Sequence, residues 1–237
     1  MNSFWDHLDE LRTVLLKSLC AWGTGTLAAF CCKDWVFAAL MRPLGTRTLI
    51  NIDVTAQFMT HIQVSLCVGL VVALPLMVWW LYGFVAPGLY ASEKHTAVLF
   101  VLGSVLLFAA GVALNYFLIF PLAFRFLTDY QVSPAVVNTI SLGSYISLLL
   151  VLSVLMGLLF QVPVVTWLLS RLGLLSREHL KRYRGHVFVA ILILAALVTP
   201  TGDPFTLLLV TLPVYALYEL SILIIPRRAL DKVPADS

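Results

Sequence analysis

The chain has 237 residues, of which 61% are hydrophobic and 11% charged, with a formal net charge of +3 and a mean hydropathy of +0.97. A soluble domain carries about 25% charged residues, so a water-soluble globule of this composition would lack the polar groups to coat its surface. Length and only 4 cysteines exclude a secreted disulfide scaffold, and the apolarity excludes a disordered or nucleic-acid-binding chain. The chain reads as an all-α, polytopic membrane protein.

Gaps in the charge pattern place the spans, because an ionised side chain at the bilayer centre costs roughly 2.5–3.5 kcal/mol on insertion scales. No Asp, Glu, Lys or Arg lies between Asp53 and Glu93, between His95 and Phe124, or between Tyr130 and Ser170. Each gap exceeds the ~20 residues that a helix needs to cross ~30 Å of hydrocarbon. Six transmembrane helices are predicted, at about 14–32, 62–85, 96–120, 144–170, 187–199 and 205–225. These runs are apolar without strand-like alternation, which favours helices over a barrel. Lys17 lies close enough to the start of the first for its amine to snorkel out.

The leader before the first span places Phe4, Leu8, Leu11 and Leu15 at helical spacing, so it can lie along the membrane surface. It is acidic and has no basic n-region, which argues against a cleaved signal peptide. Between the last two spans, Thr199-Pro200-Thr201-Gly202-Asp203-Pro204 predicts a turn rather than one long helix. Two long outer segments are expected, from Trp35 to His61 and from Arg125 to Gly143, and a basic inner loop from Arg171 to Gly185 with Ser176 as a helix cap. Six spans put both termini on one side. That side holds eleven of the Lys and Arg residues against four on the other, so both termini are expected in the cytoplasm. Residues 1–226 form a single six-span membrane domain and 227–237 a short polar tail. No internal repeat is seen, which weakens an inverted-repeat transporter reading.

Enzymatic chemistry has no visible carrier, since nucleophile, zinc and phosphate-loop motifs are all missing from the sequence. The cysteines and histidines lack metal-ligand spacing; neither cofactor nor metal is expected. The acids are more informative. Asp6, Asp9 and Glu10 form either a solvated face or a site for a basic ligand, on a surface where anionic lipid repels them. Glu93 is either a helix-dipole acid or part of a groove shaped by the stiff aromatic run Phe84-Val85-Ala86-Pro87-Gly88-Leu89-Tyr90. Gln161 and Glu219 fall within spans, where a polar side chain is either a contact to another helix or, for the glutamate, one that snorkels inward.

His7-Leu8-x-Glu10-Leu11-Arg12, Phe84-x-Ala86-Pro87-x-Leu89-Tyr90-x-x-Glu93 and Phe108-x-x-Gly111…Tyr116…Pro121 resemble the TatC family, the multispanning subunits of the twin-arginine protein translocase. So do Gly157-x-x-Phe160-x-x-Pro163, Thr199-Pro200-x-x-Asp203 and Tyr215-x-Leu217-Tyr218-Glu219. The matches run in order along nearly the whole chain. The resemblance implies a signal-peptide receptor that helps move folded proteins across the cytoplasmic (inner) membrane of a prokaryote, using the proton-motive force. It implies TatA- and TatB-like single-span partners, twin-arginine signal peptides as ligands, and a possible homo-oligomer within the translocase. The positions matching Glu10 and Glu93 would bind the peptide, with Arg12, Phe84, Pro87 and Tyr90 around them. Pro43 and Asp203 match further positions on which the family depends, and Gln161 and Glu219 would meet partner helices. The family often carries an acid where this chain has Gln161. A secondary transporter or channel for a small solute is the alternative function.

Overall fold

The computed structural model describes residues 2–45, 47–85, 94–130, 133, 139–171, 174–198 and 203–225. Helix α1 runs unbroken over Asn2–Cys31. No Gly or Pro occurs between Asn2 and Trp22, so nothing breaks the i→i+4 ladder, and the leader continues the span instead of forming a separate surface helix. The expected outer segment is largely structured. It holds α2 (Lys33–Met41), a 3-10 turn (Arg42–Leu44) opened by Pro43, and strand β1 (Leu49–Ile50). Gly45 closes the 3-10 turn at φ 67°, where a Cβ would be strained.

Helix α3 (Ala56–Val85) lies against α1 along a seam of small residues. A Cβ on Gly69 would come within 2.4 Å of the Thr26 amide nitrogen, and one on Gly25 within 2.8 Å of the Gly69 carbonyl oxygen. Backbones this close are the usual contact of helices that gain little from apolar burial in lipid. The Trp22 indole donates to the Leu66 carbonyl at 2.9 Å, and His61 stacks on Phe30 with centroids 4.0 Å apart.

The third span is longer than predicted. Helix α4 (Lys94–Leu114) passes through a π-turn (Asn115–Ile119) into α5 (Phe120–Asp129). Pro121 has no amide hydrogen for the Phe117 carbonyl, and the ladder widens just before it. The predicted fourth span is two helices, α6 (Leu142–Leu159) and α7 (Val162–Arg171), separated by a turn at Phe160 and Gln161. Pro163 accounts for that break in the same way. Strand β2 (Ile140–Ser141) pairs in parallel with β1, Leu49 opposite Ile140. This ties together the two segments expected on the outer side.

Helix α6 is the core of the bundle. Tyr145, Ile146, Leu149, Leu152 and Met156 on it are fully buried, against Phe120 and Phe124 of α5, Val64 of α3 and residues of the last two helices. The Tyr145 hydroxyl donates to the Leu40 carbonyl at 2.9 Å and Tyr116 to Ala39 at 2.5 Å, fixing α2 over the bundle. Helices α4 and α6 meet through a reciprocal fit. The Phe108 ring occupies the space beside Gly157, and the Phe160 ring that beside Gly111, each within 3 Å of where a glycine Cβ would stand.

Ser176 caps α8 (Arg177–Arg182), accepting from the His179 amide at 3.2 Å, as its type and position predict. Helix α9 (Arg184–Val198) has 15 residues and α10 (Pro204–Ile224) has 21; they are separate and pack together. Asp203 caps α10 through the Thr206 amide at 2.7 Å. Five helices are long and apolar enough to cross a membrane, and α9 is a shorter apolar helix. The predicted polar tail lies outside the described residues.

Candidate functional site

On α1, Glu10, Thr13, Val14 and Lys17 recur at i, i+3, i+4 and i+7, which sets them on one stripe of the helix. On α3, Trp79, Trp80, Gly83 and Phe84, at i, i+1, i+4 and i+5, share one side of the helix near its carboxyl end. The antiparallel α1–α3 pair brings the two stripes together around a groove of about 330 Å³. The Thr13 hydroxyl is engaged on the Asp9 carbonyl at 2.9 Å. A Cβ on Gly83 would meet nothing within 4 Å, so this wall is open, and Trp79 is 52% exposed. The α3 wall is held from behind by a row of rings: Tyr82 on Phe100 of α4 at 5.0 Å, and Phe100 on Trp167 of α7 at 5.6 Å. A carboxylate and an ammonium facing one aromatic wall can hold a cation through the carboxylate and stack a planar or apolar group.

Of the predicted site residues, the structure brings Glu10 and Phe84 into this groove. Arg12 is exposed on α1 but is not among the groove's lining residues. Glu93, Pro87 and Tyr90 lie outside the described residues. Pro43 opens the 3-10 turn beyond the far end of α1 and α2, and Asp203 is a helix cap. Gln161 is engaged inside the chain: it accepts from the Ser104 hydroxyl at 2.5 Å and donates to the Ser104 carbonyl at 3.0 Å. Glu219 accepts from Arg184 at 2.7 Å and from the Tyr215 hydroxyl at 3.0 Å, which ties α9 to α10.

Sequence reasoning missed Thr13, Lys17, Trp79 and Trp80 as groove residues. Their signal was the i+3 and i+7 spacing of Thr13 and Lys17 from Glu10 and, for Trp80, the i−4 spacing from Phe84. It also missed a second groove, of about 700 Å³, along the stripe Ser147, Leu150, Val151, Val154 and Leu158 of α6. Gln63 and Cys67 of α3 face it, and Leu194 of α9 closes it.

A bundle built around one buried central helix, with five members of membrane-crossing length, defines a multispanning helical membrane protein. Residues 6–213 match the family model of the Sec-independent protein translocase protein TatC. The chain is similar to TatC of Carboxydothermus hydrogenoformans, 34% identical over 227 residues that cover 94% of this chain and 92% of that one. It is also similar to TatC of Escherichia coli strain K12, 34% identical over 226 residues that cover 91% and 85%. Its structure is similar to a crystal structure of the twin arginine translocase receptor TatC in DDM, with a TM-score of 0.85 at 33% identity, covering 93% of this chain and 99% of that one. The chain belongs to the TatC family, and is a membrane-embedded component of Sec-independent protein transport.

Proposed function

We propose that this chain is the signal-peptide receptor and core subunit of a twin-arginine translocase, moving folded proteins across the cytoplasmic membrane of a prokaryote on the proton-motive force. The observation that carries this reading is the groove that Glu10 and Phe84 share. A guanidinium offers a planar fork to a carboxylate, and its flat face stacks on rings, so a carboxylate opposite an aromatic wall suits arginine better than lysine. Glu93, Pro87 and Tyr90 would extend the site from the segment after α3, and Arg12 would flank it. In this reading α9 is the sixth span, and both termini and the groove face the cytoplasm, which agrees with the eleven-to-four bias of basic residues.

The chain works without catalysis of its own, alongside TatA- and TatB-like single-span partners. Because Gln161 and Glu219 already bond within the chain, a polar residue of a partner helix would find its match at Gln63 and Ser147 in the second groove. The purified protein should retain a twin-arginine peptide and release it when Arg-Arg becomes Lys-Lys. Equal retention of both peptides would overturn the receptor reading.

A further inference from the structure

Two grooves on the side of β1 and β2 join into one trough. The strands pair in parallel and lead into α3 and α6, so both helices start at the same end of the bundle. A polar pocket of about 950 Å³ lies at that end, lined by Asp53 before α3, Thr128 of α5, and Thr139, Ser141 and Ser144 where α6 begins. Ser147 lines both this pocket and the apolar groove of about 700 Å³. From Ser147 the groove follows Val151, Val154 and Leu158 of α6. That is a rise of about 16 Å, close to the depth of one leaflet of a ~30 Å hydrocarbon core.

The polar groups are graded along the trough. At its top the Asp53 carboxylate is exposed and, among the described residues, in neither of the ion pairs, Arg47–Asp129 and Arg184–Glu219. The Arg47 guanidinium stands beside two lining residues, donating to Thr128 and lying 5.5 Å from the Phe124 ring centroid. The Ser144 hydroxyl accepts from Ser141 at 2.8 Å, which leaves its own hydrogen to donate. Lower down, Gln63 and Ser147 lie about 10 Å and 7.5 Å along their helices from the shared end. Gln63 is exposed there, and an amide exposed to hydrocarbon needs an acceptor from whatever fills the groove.

We propose that the trough holds one phospholipid with a primary-ammonium headgroup, from the leaflet on the side of β1 and β2. The ammonium pairs with Asp53, and the phosphate accepts from Ser144 and Thr139 beside the Arg47 charge. The ester carbonyls accept from Gln63 and Ser147, and an acyl chain runs down to Leu158. The order of these groups along a lipid is the order of the side chains along the trough. A quaternary ammonium has no hydrogen to give the carboxylate, and a glycerol headgroup has no positive charge, so Asp53 selects among lipids. A partner helix docking on Gln63 and Ser147 would then enter by displacing this lipid.

The test titrates the delipidated protein in detergent with phosphatidylethanolamine, phosphatidylcholine and phosphatidylglycerol of identical chains, counting bound lipid by native mass spectrometry. Wild type should hold one phosphatidylethanolamine about two- to fivefold more tightly than either of the others, as for an exposed ion pair. Asp53→Asn should level the three, and Asp53→Lys should turn the preference to phosphatidylglycerol. Val154→Trp, which fills the groove, should weaken all three alike. Asp53 is exposed, so its variants report headgroup selectivity even where Val154→Trp does not fold. Equal affinities in the wild type, or a preference that survives Asp53→Lys, would overturn the proposal. So would the retention of no lipid at all, the result expected if the groove takes only a protein helix.

Discussion

Replacing Gly69 by Ala should damage the groove without touching any residue in it. The added Cβ would stand 2.4 Å from the Thr26 nitrogen and 2.6 Å from its Cα. These are backbone atoms that no rotamer change moves aside. Ordinary contact begins near 3.5 Å, so α1 and α3 must separate by about 1 Å at the crossing. Overpacking of this kind costs about 1–3 kcal/mol. The Trp22–Leu66 hydrogen bond, 2.9 Å long and one turn from Gly69, would be stretched out of range, adding about 0.5–1.5 kcal/mol. The expected loss is therefore about 2–4 kcal/mol in denaturant unfolding. Because α1 carries Glu10 and α3 carries Phe84, the splay should also weaken peptide binding. Gly23→Ala is the control: it lies on α1 two residues from Gly25, a Cβ there meets nothing within 4 Å, and the helix gains propensity. If Gly69→Ala unfolds and binds peptide like Gly23→Ala, the two helices are not held by this seam and the groove does not depend on it.

Glu10→Gln should weaken twin-arginine peptide binding about ten- to a hundredfold, the equivalent of one charge-assisted hydrogen bond, while Asp9→Asn, turned about 100° away on the helix, should do little; equal losses in a fluorescence titration would make the leader a diffuse acidic lure. Arg47→Ala should lower the melting temperature more than Asp129→Asn, because the guanidinium also donates to Thr128 and lies 5.5 Å over the Phe124 ring, whereas the exposed ion pair alone is worth about 1 kcal/mol or less. Helix α9, at 15 residues, is about 22 Å long against a hydrocarbon core of ~30 Å. Inserting one Leu-Ala turn after Val189 should reduce vesicle transport and leave peptide binding intact, and full transport by that variant would remove local bilayer thickness from the mechanism.

The long helices were legible because a charge in hydrocarbon is costly, so uncharged runs mark them out. The cap at Ser176 was legible because a short oxygen side chain before a helical run has one favourable use, whereas Asp203, read as part of a turn, is a cap only in the structure. What stayed hidden depends on contacts between distant parts of the chain. Two-residue strands such as β1 and β2 have no periodicity to detect. The turn at Phe160–Gln161 interrupts a run that is apolar on both sides, so hydropathy passes straight over it, and Pro163 alone does not distinguish a kink from a break. Phe108, Gly111, Gly157 and Phe160 carry the family resemblance as scattered letters, and only the fold shows them as two rings and two gaps that fill each other. Glu10 was legible as an acid in an unfavourable place, but its neighbour across the groove comes from a helix seventy residues away.

Gln161 shows most clearly how a membrane protein disposes of a polar side chain, and its role can be separated by a double-mutant cycle. The amide makes both of its bonds to one residue: the Ser104 hydroxyl donates to its oxygen at 2.5 Å, and its nitrogen donates to the Ser104 carbonyl at 3.0 Å. Ser104 is 2% exposed and Gln161 half-buried, so removing the amide leaves the Ser104 hydroxyl without water to replace it. Ser104→Ala and Gln161→Met should each cost about 1–3 kcal/mol, the penalty of a buried group left unsatisfied. The double variant should cost no more than one single, a coupling of about 1–2 kcal/mol. An ionised acid would not substitute for the amide. It would keep the bond from the Ser104 hydroxyl but set an oxygen against the Ser104 carbonyl, so Gln161→Glu should destabilise more than Gln161→Met at neutral pH. The amide therefore bolts α4 to the turn between α6 and α7, and a charge at this depth is not needed for the fold. Additive single losses would show that Ser104 and Gln161 do not act as a pair. Transport retained by the double variant would locate the whole contribution of Gln161 in packing, and transport lost while the protein stays folded would give the amide a part in moving cargo.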